Sequence, residues 1–72
     1  PDPAVEARTS RLKSWRLEES KRRGVVLQAV LPTRALEALA ASGGEVDLAA
    51  IAQLGDKRIR LYGDTLRALL RK

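Results

Sequence analysis

The sequence predicts an all-α fold, a compact bundle of four to five helices with the last one kinked at Gly63. Three observations lead there. Apolar residues recur at three- and four-residue spacing, as on one face of a helix. The apolar 44% is nearly all Leu, Ala, Val and Ile, with one Trp, one Tyr and no Phe or Met, a composition rich in helix formers and poor in strand formers. The segments between Gly and Pro residues are joined by short loops, as a helical bundle requires.

The first helix is expected from Ala4 to Arg23, a stretch free of Gly and Pro in which Val5, Leu12, Trp15, Arg16 and Glu19 share one face. Gly24 ends it, with Lys21, Arg22 and Arg23 in the last turn, where the helix dipole favours cations. Residues 25–31, Val-Val-Leu-Gln-Ala-Val-Leu, have no second strand to pair with and read as a buried connector with irregular or 3₁₀ turns. Pro32-Thr33 opens the second helix, with Thr33 as N-cap and Leu36, Leu39 and Ala40 inward, running to about Ala41. Ser42-Gly43-Gly44 breaks it. Asp47 is placed to cap a short third helix that turns Leu48, Ile51 and Ala52 inward. After Leu54-Gly55, Asp56 offers a further N-cap, and Ile59, Tyr62, Leu66, Leu69 and Leu70 form one stripe. Gly63 lies inside that stripe, hence the expected kink or split. Residues 1–4 read as the remnant of a linker and 5–72 as the domain.

Seventy-two residues make one thin core, burying only about 60% of the surface the unfolded chain exposes. With no Cys and no His, the chain has no disulfide framework and no usual zinc ligand set. No cofactor and no metal is expected. Catalysis finds no support either. There is no His or Cys for acid–base or nucleophilic work and no Gly-rich phosphate loop, and the carboxylates are scattered singly. No apolar run approaches the ~18 residues of a membrane span. The formal charge of +5, from fourteen Lys and Arg against nine Asp and Glu, favours polyanions such as nucleic acid or an acidic partner.

Within that excess, Lys57, Arg60, Arg67 and Arg71 fall on one flank of the last helix. The stripe is long enough to follow a few phosphates, or it is a solvated face in which Arg60 and Asp64 pair at i, i+4. Lys21, Arg22 and Arg23, with Arg34 across the connector, form a second cluster, either anion-binding or compensating the helix dipole. Arg58 lies near the start of the last helix, where backbone N–H groups favour a phosphate and Asp56 competes with it. Trp15 and Tyr62 read as core residues, the Tyr62 hydroxyl reaching a polar rim. Arg16 and Glu19 are placed to pair with each other or with the last helix. Leu17 and Leu61 point away from the inner faces; clustered, they would mark a protein contact.

The ordered pattern Leu12, Trp15-Arg16, Ser20, Gly24-Val25, Val30-Leu31-Pro32-Thr33 and Leu36 resembles the opening of the HRDC domain of RecQ-type helicases and RNase D-type exonucleases. Leu39-Ala40, Leu48, Ile51, Leu54-Gly55, Lys57 and Tyr62-Gly63 with Leu66, Leu69 and Leu70 continue it, so the resemblance covers roughly residue 9 to the end. It implies a helical bundle without an active site, tethered to a catalytic core, that in several members contacts single-stranded or branched DNA or other domains. In many members the connector carries Pro and then an aromatic residue implicated in nucleic-acid contact. Here Val26 or Leu27 and then Gln28 stand in those places. Without that ring, stacking worth roughly 1–3 kcal/mol per base is missing. The segment after the second helix also lacks the usual Pro and is shortened, with Gly43-Gly44 in its place.

The expected function is a non-catalytic accessory domain of a RecQ-type DNA helicase. It would bind single-stranded or branched DNA weakly through phosphates, with Lys57, Arg58, Arg60, Arg67, Arg22, Arg23 and Arg34 as candidate contacts. The alternative is a docking module that meets other domains of its parent helicase, or of an RNase D-type nuclease, without touching DNA. The isolated domain is expected to be monomeric, off the membrane, and cytoplasmic at the nucleoid. Ten Arg against four Lys, and eleven Ala, hint at a GC-rich bacterial source.

Overall fold

The first helix begins before its apolar face does. In the computed structural model, which describes residues 2–72, Asp2 is extended and its Oδ1 accepts from the Ala4 N–H at 2.9 Å. Pro3 then occupies the first helical position, where its missing N–H costs nothing. This cap starts α1 at Pro3, and the helix runs to Arg23. Gly24 stops it with φ 67, and the Val25 N–H returns to the Ser20 carbonyl at 3.1 Å, closing a Schellman turn. Then follow α2 (Leu27–Val30), α3 (Thr33–Ser42), a 3₁₀ turn (Leu48–Ala50) and α4 (Asp56–Arg71). The architecture is therefore all-helical, with extents of 32 × 22 × 19 Å. None of its helices is long and apolar enough to cross a membrane among the described residues.

The elements pack round α1, which touches α2, α3 and α4. Ala35, Leu36, Leu39 and Ala40 of α3 are all fully buried and share one core cluster with Leu12 of α1, Val30 and Leu31 of the connector, and Leu66 and Leu70 of α4. Val46, Leu48 and Leu54 close the far side from the loop between α3 and α4. Of the expected core, Leu12, Leu36, Leu39, Tyr62 and Leu66 are buried, and Trp15, Ile51, Ile59 and Leu69 are partly buried against it. Burying one such Leu contributes about 1.5–3 kcal/mol.

Several local expectations change. The connector is not buried throughout. Residues 27–30 make a single α-helical turn that sends Val30 and Leu31 inward and leaves Val26 72% and Leu27 38% exposed. Thr33 is not the N-cap of α3 but its first helical residue, because Pro32 takes the cap position and brings no side-chain acceptor. The acceptor comes instead from α2: the Thr33 N–H donates to Gln28 Oε1 at 2.9 Å, and Gln28 Nε2 donates back to Thr33 Oγ1 at 2.7 Å. Asp47 does cap the third element, its Oδ1 accepting from the Ala49 N–H at 3.1 Å. That element ends at Ala50, and Ile51 is extended, so helical phase is lost and Ala52 faces solvent rather than the core. Asp56 is likewise the first residue of α4, with Gly55 (φ 84) in the cap position.

Of the two outcomes expected at Gly63, a split does not occur, since α4 is one unbroken helix through it. Gly63 is buried against the 3₁₀ turn, and a Cβ there would stand 3.5 Å from Leu48 Cδ1, an ordinary contact. The hydrogen-bonded ladder on either side, held by packing, outweighs the weak helix propensity of one glycine.

Two substitutions test these assignments. Gly63→Ala should raise stability by about 1 kcal/mol in denaturant unfolding, since Ala is the better helix former and finds room. A loss would mean that the α4–Leu48 contact is tighter than described. Gln28→Ala should lower stability by about 1 kcal/mol, the usual cost of removing a helix cap. An unchanged midpoint would show that Gln28 does not hold the start of α3.

Candidate nucleic-acid interface

Where α1 ends, α2 turns and α4 begins, three cationic side chains converge. Arg23, Lys57 and Arg58, with Ala29, Leu61 and Tyr62, line a cleft of about 150 Å³. Each cation is positioned differently. Arg58 is braced by backbone: its Nε donates to the Val30 carbonyl at 3.1 Å, its Nη2 to Ala29 at 3.1 Å and its Nη1 to Leu54 at 3.1 Å. These acceptors are neutral, so its charge stays uncompensated. Arg23 donates through Nη1 to the Tyr62 hydroxyl at 2.6 Å. Lys57 is exposed and makes no hydrogen bond or ion pair among the described residues. No carboxylate lines the cleft, although Asp56 precedes Lys57 in the chain.

Tyr62 ties this cleft to the core. Its ring meets Trp15 edge-on, with centroids 4.8 Å apart and planes at 83°, a favoured aromatic geometry. Its hydroxyl donates to Glu19 Oε2 at 2.9 Å. Glu19 also accepts a fork from Arg22, whose Nε lies 2.8 Å from Oε1 and whose Nη2 bonds Oε2. The bonds from Arg22 are the main reason that the Glu19 carboxyl is lowered from its ordinary 4.5 to about 2. Burial opposes them, and the Tyr62 bond and the Arg22 and Arg23 charges add to them. The Tyr62 hydroxyl is pushed up, first by burial and then by the Glu19 bond. Arg16 does not pair with Glu19. It is 7% exposed, and its Nη1 donates to the Leu31 carbonyl at 2.8 Å and to Thr33 Oγ1 at 3.1 Å.

The remaining candidates disperse. Arg22 is engaged by Glu19, the one ion pair among the described residues, so Arg60 and Asp64 do not pair. Arg67 donates to the Val46 carbonyl at 3.0 Å. The stem of Arg71 lies over Gly44, where a Cβ would come within 2.6 Å of its Cγ. The far half of the expected stripe thus covers the loop after α3, while Lys57 and Arg60 remain free and exposed, as does Arg34. Gln28, where the resemblance would put an aromatic, has both ends of its amide engaged by Thr33. A larger, shallower depression of about 460 Å³ runs along α1 past Glu6, Thr9 and Lys13. One helix lines it with one acid and one base, so it concentrates no charge.

The family model of the HRDC domain matches residues 5–70. The chain belongs to the HRDC family. HRDC domains are non-catalytic accessory domains of helicases and RNase D-type nucleases. Comparison with curated proteins and with solved structures gave no match. In this HRDC domain, sequence spacing found the cations but not their partners. By sequence Arg23 belongs to the cluster at the end of the first helix and Arg58 stands alone near the start of the last, because nothing local reports that the end of α1 lies beside the start of α4. The Glu19–Tyr62 bond spans 43 positions and left only one trace, an acidic residue on an otherwise inward face.

The lowered Glu19 carboxyl has a signed consequence. Its folded value lies below the ordinary one, so its contribution is complete above about pH 4.5 and is lost as pH falls towards about 2. Denaturant midpoints followed over that window should fall more steeply for the natural chain than for Glu19→Gln. Parallel curves would mean that Glu19 is not held by Arg22 and Tyr62.

Proposed function

We propose that this HRDC domain binds single-stranded or branched DNA weakly through phosphate contacts, and that it thereby tunes substrate binding and unwinding by a RecQ-type DNA helicase. The observation that carries the reading is the convergence of Arg23, Lys57 and Arg58 from two helices on one cleft with no carboxylate in its wall. Arg60, three positions along α4 from Lys57, and Arg34 near the start of α3 are exposed as well. Such groups suit the phosphate backbone, and neither Trp15 nor Gln28 is free to address a base. Trp15 packs on Tyr62, and the Gln28 amide is engaged.

A second reading has its own observation. Val26 and Leu27 of α2 are exposed, and so is Leu61 at the cleft (56%). Apolar side chains at the same end as the cations suit docking onto another domain of the parent enzyme.

Titration of the domain with labelled single-stranded and forked DNA tests the first reading. Affinity should fall about tenfold or more between roughly 50 and 200 mM salt, a slope near −0.7 per neutralised phosphate on single strands. Lys57→Glu and Arg60→Glu should each weaken binding severalfold and flatten that slope. Binding indifferent to salt would sink the proposal. Absence of DNA binding, with altered activity of the mutated full-length enzyme, would favour docking.

A further inference from the structure

We propose that the cleft between α1, α2 and α4 is a subsite for a terminal phosphate, one that takes the phosphomonoester at the end of a nucleic-acid strand in preference to the phosphodiesters along it. The inference rests on the phosphate-binding reading above and specifies its ligand. Size is the first argument. At about 150 Å³ the cleft is below the roughly 300–1,000 Å³ of sites that enclose a whole small molecule, so it admits a group rather than a nucleoside. Donor count is the second. Lys57 offers three N–H donors with no partner among the described residues, and Arg23 uses one of its five on Tyr62. Those donors can be shared among the three unbridged oxygens of a monoester, one acceptor more than a phosphodiester offers. Charge is the third. A monoester carries about −1.5 to −2 at pH 7, against a single charge on a diester, and the cleft meets it with three cations. Arg58 supplies its share from a fixed position, because carbonyls of Ala29, Val30 and Leu54 hold its guanidinium. Glu19, the nearest buried acid behind Tyr62, is already neutralised by Arg22. Asp56, exposed and next to Lys57 in the chain, opposes the ligand. Leu61 and Ala29 form an apolar lip against which the last sugar would rest.

Lys57 is the residue to alter, because Arg23 and Arg58 also hold the fold together and Lys57 does not. The 72-residue chain would be titrated with one single-stranded DNA sequence in three forms, carrying a 5′-phosphate, a 3′-phosphate or hydroxyls at both ends. At least one phosphate-ended strand should bind about fivefold more tightly than the hydroxyl-ended one, and Lys57→Gln should abolish that difference. Equal affinity for all three forms would overturn the terminal-phosphate assignment and leave general phosphate binding standing. A preference that persists in Lys57→Gln would overturn its placement in this cleft. Failure of every strand to bind would overturn both this assignment and the DNA-binding function beneath it.

Discussion

The fold depends on guanidinium groups donating to backbone carbonyls at the ends of helices. A helix leaves its last carbonyls without internal partners, and in so short a chain those ends lie close to other elements. Arg8 of α1 donates to the Ala40 carbonyl in the last turn of α3 at 2.7 Å. Arg11 reaches Leu69 at 2.8 Å and Lys72 at 3.1 Å, at the end of α4. Arg16 holds Leu31 and Arg58 holds Ala29 and Val30, so the connector is gripped from α1 and from α4. Each bond closes a helix end and ties two elements at once. Because the acceptors are dipoles rather than carboxylates, the cationic charge is anchored without being cancelled. Arg8, Arg11 and Arg58 thus help assemble the bundle while their charge stays at its surface.

Arg16 shows the cost of that strategy. Its side chain is almost wholly buried, bonds only a carbonyl and a hydroxyl, and leaves its Nε without a partner. A buried charge without a counter-ion is unfavourable compared with an apolar residue of the same shape. It does fix geometry. Its Nη1 reaches Leu31 and Thr33 together and so ties α1 to the start of α3. Thr33 is held on its other side by Gln28, and the two contacts together set the path of the chain from α2 into α3. Leucine packing alone, being non-directional, leaves that path loosely specified.

What was legible in the sequence follows the same division. The all-α class, the stops at Gly24 and Gly43, the Asp47 cap and the inward Leu and Ile positions are local properties, encoded in periodicity and in turn chemistry. Contacts that decide between two acceptable local choices were hidden. Thr33 is a good N-cap by type, yet Pro32 displaces it and Gln28 supplies the acceptor from an adjoining helical turn. Gly63 is a plausible break by type, yet α4 runs unbroken through it beside Leu48. Arg67 and Arg71 share a flank with Lys57 and Arg60 by spacing, but only the shape of the 43–46 loop reveals that the first two lie against protein. The cleft is hidden for the same reason, since it joins residues from position 23 to position 62.

The cleft inherits rigidity from the core rather than from its own loops. Tyr62 belongs to both: its ring packs on Trp15, and its hydroxyl links Glu19 to Arg23. A rotation of α4 that moved Lys57 or Arg58 would have to break that aromatic contact and withdraw Arg58 from its carbonyls. Two of the three cations therefore stand in place before any ligand arrives, and only the Lys57 side chain must be ordered, at a cost of up to about 2 kcal/mol in rotamer entropy. Preorganisation of this kind lowers the cost of binding without adding contacts. A small surface with few anchoring groups would then meet the proposed anion through electrostatics alone, with a modest affinity because no base is held.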